Sequence, residues 1–172
     1  NLAIQVKCHT SKACVPTNLA ANGENRGSNS LNRATYRADS MSGKDTLLPS
    51  DNTVAAYWIT NPDNIYRDNV AAGSDSTGFW FALPQNGIGK FENTEIGLKT
   101  WPRRTKVREF KGNTAHSNFD GFLLDRGPRP DGHFATGGHI SLVNPADANS
   151  PQVESVFEDF TTYKNRNGGL WS

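Results

Sequence analysis

The stretch Ala55–Pro84, AAYWITNPDNIYRDNVAAGSDSTGFWFALP, decides how this chain folds. Two fully apolar runs, Val54–Ile59 and Phe79–Leu83, bracket a bend of small residues and asparagines. Both runs are short, aromatic and β-branched, and Asn-Pro, Gly and Asp-Ser punctuate them, which predicts strands rather than helices. A half-exposed antiparallel strand alternates apolar with polar residues. These runs are apolar on both faces and need cover on two sides. A lone hairpin cannot supply it.

Working outward, the 172 residues suit one domain, 1–172, with a core of useful size and no break in composition that marks a linker. The 16 Gly and 9 Pro make turns frequent, while 4 Trp, 4 Tyr and 9 Phe argue for order. A formal net charge of +1 excludes a global field that recruits nucleic acid, so an electrostatic partner must be met by a local patch. No apolar stretch approaches the roughly 20 residues of a membrane helix. The chain opens at Asn1 without an initiating Met and stops within a strand-like pattern, so it reads as a processed product or a piece of a longer protein. Cys8 and Cys14, in KCHTSKAC, close a small disulfide loop in an oxidising compartment, stand as free thiols or, against the usual zinc spacings, join His9 in a metal site.

NLAIQVK at the start reads as a strand, and residues 10–45 form a polar loop insertion rich in Asn, Ser and Gly. Beyond the organising stretch the chain repeats itself. NVAAGSDSTGFWF, NTAHSNFDGFLLD and FTTYKNRNGGLWS share a polar bend, a Gly and an apolar triplet. Aligned at Gly78, Gly121 and Gly168 the spacings are 43 and 47 residues, as expected for stacked β-coils with about two turns per period. The expected fold is therefore all-β, a right-handed parallel β-helix with long inserted loops. A β-sandwich is the alternative, since short strands at irregular spacing also suit it. Asn64, Asn69, Asn113, Asn118 and Asn165 fall at the coil corners, where Asn tolerates left-handed backbone and bonds to local amides.

TLLPSD, YWITNPDN, NVAAGSDSTGFWF, GNTAHSN and YKNRNGGLW, in that order between Thr46 and Trp171, closely resemble the parallel β-helix region of the extracellular hyaluronan-binding and hyaluronidase-like family. That group includes transmembrane hyaluronidases, fibrocystin-like receptors and bacterial secreted relatives. The resemblance implies an extracellular or cell-surface β-helix over residues 46–172 that binds or depolymerises an acidic glycan, as a glycoside hydrolase or a lyase. It carries over no catalytic residue, because the acidic residues proposed for the hyaluronidase members lie upstream of the matching region. No family motif is recognised across residues 10–43.

The residues themselves offer two candidate sites. KTWPRRTKVREFK sets Lys99, Arg103, Arg104, Lys106, Arg108 and Lys111 against one acid, Glu109. Guanidinium groups pair with the carboxylates of a polyuronate in bidentate fashion, and Trp101 offers a flat face to a sugar ring, so Trp101, Arg103, Arg104, Lys106 and Arg108 are the candidate substrate-binding residues. The rival reading is a solvated loop between coils. Second, His116, Asp120 and Asp125 place an imidazole and two carboxylates in one coil, a set able to perform acid–base work on a uronic glycan. Against this, His116 and Asp120 serve equally as corner hydrogen bonders, and the repeat sets Tyr163 opposite His116.

Asp131, His133 and His139 are weaker metal-ligand candidates, and Asp39, Asp45, Asp51 and Asp63 are carboxylates for calcium, the one candidate cofactor, although no calcium-loop spacing is present. Trp58 and Trp80 read as core wedges before sugar platforms. Three functional classes follow: a carbohydrate-active segment, a non-catalytic glycan-binding module, and a structural or adhesive solenoid whose open ends pair with further coils of a parent chain or with another protein chain.

Overall fold

The structure, a computed structural model, describes residues 1–4, 6, 55–124, 126–128, 134–136 and 139–172. Its strands are β1 (Leu2–Ile4), β2 (Ala55–Ile59), β3 (Ile65–Arg67), β4 (Val70–Ala72), β5 (Thr77–Phe81), β6 (Glu109–Lys111), β7 (Thr114–His116), β8 (Asp120–Leu123), β9 (Arg126–Pro128), β10 (Phe134–Thr136), β11 (Thr161–Tyr163) and β12 (Gly168–Trp171). Three sheets are parallel throughout: sheet A in the order β1-β4-β7-β11, sheet B in the order β12-β8-β5-β2, and sheet C, the pair β3-β6. A parallel bridge from Lys111 to Glu158 extends sheet C, and β9 with β10 makes a separate antiparallel hairpin. Parallel pairing in all three sheets removes the sandwich alternative.

From β2 onward the chain meets the sheets in the order B, C, A, and repeats that order on each pass. Ala55 faces Thr77, Thr77 faces Asp120 and Asp120 faces Gly168, spacings of 22, 43 and 48 residues. The 43- and 48-residue intervals are therefore single passes, not pairs of turns. Each carries an inserted segment between sheets B and C, residues 82–108 and 124–157, and the extra length lies there. The glycine column also shifts by one residue. A Cβ on Gly78 would stand 2.6 Å from the Gly121 carbonyl oxygen, and Gly121 meets Gly169, not Gly168.

The two apolar runs differ in cover: in β2 only Ile59 is buried while Ala55–Trp58 are half-buried, and the full cover expected of both is met in β5. All five residues of β5 are buried, with Phe79 and Phe81 in the main core and Trp80 in a second cluster with Ala82 and Leu123, against which Trp58 packs. Across the passes like meets like: Tyr57 stacks on Phe79 at 4.6 Å, and Trp58 lies 4.7 Å from Trp80. Sheet A contributes only small groups to the interior, Ala71 and Ala115, which leaves room for aromatics of sheets B and C to meet, as Phe79 meets Phe110 edge-on at 5.2 Å. Each fully buried Phe stabilises the fold by about 1.5–3 kcal/mol relative to an exposed one.

Asparagines hold the corners, but not by the expected route. The left-handed positions belong to Asp68, Gly112 and Asp159 between sheets C and A, and to Gly73, Ser117 and Lys164 between sheets A and B. Asn69, Asn113, Asn118 and Asn165 follow these residues and use their side chains to bridge passes. Asn113 Oδ1 accepts from both the backbone N–H and Nδ2 of Asn69, at 3.0 Å each, and Asn113 Nδ2 donates to Tyr66 O at 2.8 Å. Asn118 Oδ1 accepts from Ser74 N at 2.9 Å, while Asn165 Oδ1 accepts from Asn118 N at 3.1 Å. Asn69, Asn113 and Asn118 are buried, so their amides satisfy backbone groups that water cannot reach. Asn64 stands outside these columns, exposed and bonded to Asn61 O.

The 82–108 insertion is tied back onto the sheets at its base. Arg103 donates from Nε and Nη2 to Leu83 O, at 3.3 and 3.2 Å, joining the return of the loop to its departure. The 139–155 segment clamps the same return: His139 Nε2 donates to Thr105 O at 2.6 Å, and Ser155 Oγ accepts from Val107 N at 3.0 Å while bonding Ser141 Oγ at 2.6 Å. Burial holds the His139 imidazole below its usual pKa of 6.5, against the opposing pull of the Thr105 carbonyl.

Two measurements check this account. Asn118→Ala orphans the Ser74 N–H and the Ala71 carbonyl, and at about 1–3 kcal/mol per buried unpaired group should lower unfolding stability in urea by about 2–6 kcal/mol. Asn64→Ala, at an exposed site, should stay within about 0.5 kcal/mol. The unfolded chain protonates His139 near 6.5 and the folded chain only at lower pH, so its contribution to stability is complete above 6.5 and declines as the pH falls below it. Urea midpoints compared at about pH 7.5 and about pH 5.5 should show this decline, and His139→Gln should flatten it.

Candidate functional site

Outward-facing residues of sheet C and the returning insertion enclose a cleft of about 380 Å³. Buried Val107 and Phe110 form its base, and Arg67, Lys106, Arg108 and Lys111 bring four cations to it against the carboxylates of Glu109 and Glu158. Register explains the grouping. Arg67 faces Lys111 across β3 and β6, and Lys111 faces Glu158 on the next pass. Strand alternation turns Tyr66 and Phe110 toward the core and these charged neighbours outward.

The charges are organised in pairs. Arg67 grips Glu109 through Nε and Nη2 at 2.6 and 2.7 Å, Arg108 grips Asp63 at 2.8 and 3.1 Å, and Lys111 Nζ lies 2.8 Å from Glu158. The hydrogen bond from Arg67 holds the Glu109 carboxyl below the usual carboxylate range, so it stays ionised and does not serve as a proton donor near neutrality. The hydrogen bonds that Arg67, Arg108 and Lys111 donate to Glu109, Asp63 and Glu158 push the three cations upward in turn. In the insertion Lys99 pairs with Glu95 at 2.6 Å. Lys106, exposed at the cleft, has no carboxylate partner among the described residues.

The candidate basic run thus divides. Lys106 and Arg108 line the cleft. Arg104 lies over the Trp101 ring at 4.9 Å, and Arg103 is engaged with Leu83 O, so these three sit at the base of the insertion and do not line the cleft. Asp63 and Glu158, which neutralise Arg108 and Lys111, lie one pass away and outside the run. Arg67, Glu109 and Glu158 were absent from the candidates, although the repeat that aligns Asn69 with Asn113 also aligns Arg67 with Lys111.

His116 and Asp120 sit on different sheets. The His116 ring, on β7, stacks on Tyr163 at 4.8 Å and its Nδ1 meets Ser117 Oγ at 3.1 Å, with Tyr163 in the register position the repeat gave it. Asp120, the first residue of β8, is buried and accepts from Asn167 Nδ2 at 2.8 Å and Trp171 Nε1 at 3.2 Å. Asp125, Cys8, His9, Cys14, Asp39, Asp45, Asp51, Asp131 and His133 lie outside the described residues. Among the described residues no three His, Cys, Asp or Glu side chains gather to hold a metal ion. No described helix is long and apolar enough to cross a membrane.

A sequence model of the CEMIP beta-helix family matches residues 1–123, so the family likeness begins ahead of Thr46 and runs through residues 10–43, where the motifs alone did not reveal it. Fibrocystin-L of Mus musculus is 40% identical over 128 residues, covering 73% of this chain and 3% of that protein. Cell surface hyaluronidase CEMIP2 of Homo sapiens is 29% identical over 150 residues, 80% of this chain and 11% of that protein. Cell migration-inducing and hyaluronan-binding protein of Mus musculus is 29% identical over 132 residues, 70% and 9% of the two chains. The chain thus spans a small part of the length of these relatives. With the motifs between Thr46 and Trp171 and the recurring parallel sheets, these matches make the chain a member of the CEMIP β-helix family.

Proposed function

We propose that this chain is a right-handed parallel β-helix module that binds an acidic polysaccharide of hyaluronan type in the cleft over sheet C, at the cell surface or outside the cell. The cleft carries the reading: four cations line 380 Å³ of space, within the roughly 300–1,000 Å³ of small-ligand sites. Guanidinium and ammonium groups are the donors that carboxylates along a polyuronate require, and Lys106 is poised to meet one. Relatives named as hyaluronan-binding or as cell surface hyaluronidases support the class of ligand and the location. The winding is supported by the repeated visiting order of the sheets, since parallel crossovers are right-handed in about 98% of cases.

Binding is favoured over cleavage within this chain because His116 and Asp120 face separate partners and Glu109 is held ionised. Depolymerisation belongs in this proposal to the parent protein. A structural or adhesive role is the second reading, favoured by the half-exposed Tyr163, Leu170 and Trp171 on β11 and β12, strands that pair on one side among the described residues. Further coils of a parent chain or another protein chain would add there by strand pairing.

The deciding experiment incubates the chain, Lys106→Ala and the double variant R103A/R104A with hyaluronan, other acidic glycans and a neutral glycan, following both affinity and polymer length. Salt-sensitive binding to the acidic glycans is expected, weakened about three- to tenfold by Lys106→Ala, tenfold being about 1.4 kcal/mol. R103A/R104A should also weaken it, by releasing the base of the insertion. Affinity unchanged in both variants removes the cleft as the site. Polymer shortening by the chain itself would overturn the assignment of binding alone.

A further inference from the structure

The cleft already contains anions of its own. Glu109 occupies the Arg67 fork through both oxygens, at 2.6 and 2.7 Å, and Glu158 occupies Lys111 at 2.8 Å. A guanidinium edge engaged in this bidentate way has no second pair of N–H groups in the same plane and direction for an incoming carboxylate. Both pairs are open to water, with side-chain exposures of 59% and 27% for Arg67 and Glu109 and 50% for each of Lys111 and Glu158. Partners this exposed exchange readily, since solvent-facing ion pairs are weakly held. Lys106 lines the same cleft without a carboxylate partner among the described residues.

We propose that Glu109 and Glu158 are built-in competing ligands, which an acidic polymer must displace from Arg67 and Lys111 before the cleft engages it. This rests on the reading that the cleft binds an acidic polysaccharide. Lys106 makes the first contact, and neighbouring carboxylates on the same polymer then exchange with Glu109 and Glu158 one after the other. Selectivity follows from effective concentration. A carboxylate tethered on the protein competes at roughly millimolar local concentration or above, which a free monocarboxylate in dilute solution does not match. Several carboxylates linked on one polymer do match it once the first is held. The cleft therefore rejects single sugar acids and small anions and accepts their polymer.

The test compares the chain with E109Q, E158Q and the double variant, using calorimetry at fixed ionic strength with hyaluronan oligosaccharides and with free glucuronate as probes. Glu95→Gln is the control: it removes one carboxylate, as each single variant does, and releases Lys99, bound at 2.6 Å, away from the cleft. The double variant should bind the oligosaccharides about three- to tenfold more tightly and gain measurable glucuronate binding, with Glu95→Gln unchanged within about twofold. Circular dichroism and urea midpoints establish that each variant is folded. A folded double variant that binds no more tightly than the unaltered chain overturns the exchange and leaves the binding reading intact. Tightening by Glu95→Gln equal to that of E109Q or E158Q also overturns it, because bulk charge then explains the gain. No binding by the chain or any variant overturns the binding reading and the exchange together.

Discussion

A parallel strand finds its hydrogen-bond partners a whole pass of chain away, so everything in this molecule depends on keeping successive passes in register. Side chains placed identically on neighbouring passes enforce it. Tyr57 lies flat on Phe79, Trp58 leans on Trp80, and Asn69 is bonded through Asn113 to the pass beyond. Slipping by one residue would turn Phe79 outward and Trp80 inward and would detach the buried amides from their backbone partners. The register thus costs two kinds of energy to break, apolar burial and buried hydrogen bonds. The two reinforce one another because they lie on the same passes.

The charged face of sheet C inherits this register. Arg67, Lys111 and Glu158 share one column because Tyr66 and Phe110 must share the column behind it. Core packing therefore positions the cleft's ions, although none of them is part of the core. The insertion supplies what the sheet cannot, a lysine whose neighbours on both sides are held by side chains of the 139–155 segment, Thr105 O by His139 and Val107 N–H by Ser155.

Much of the architecture was legible in the chain. Runs apolar on both faces demanded cover on two sides, and β5 is buried along its whole length. Four of the five asparagines marked corners, Asn64 being the exception, but the backbone strain falls on the residue ahead of each of the four, such as Ser117 before Asn118, because the amide itself is needed to span the gap. The length of a pass was harder to read: insertions doubled the interval between repeats, and only the bare 22-residue pass from Ala55 to Thr77 reveals the underlying unit. Gly168 and Gly169 are adjacent, and sequence similarity alone does not choose between them. At the site, the basic run was visible and its neutralisation was not, because Asp63 and Glu158 arrive from other passes. His116 and Asp120, four residues apart, suggested proximity, yet a corner between two sheets separates them.

The step from sheet C to sheet A never varies in length: Arg67 to Val70, Lys111 to Thr114 and Glu158 to Thr161 are each three residues. Between sheets B and C, by contrast, the connection swells to accommodate residues 82–108 and 124–157. Lengthening a loop costs little once it exists, about 0.6 kcal/mol for each doubling. One edge of the molecule thus works as a fixed spine and another as a flank open to remodelling. Lys106 and Arg108 stand where that flank rejoins the sheet, so new recognition chemistry can be grafted beside the charged column without retuning the parts that hold the passes together.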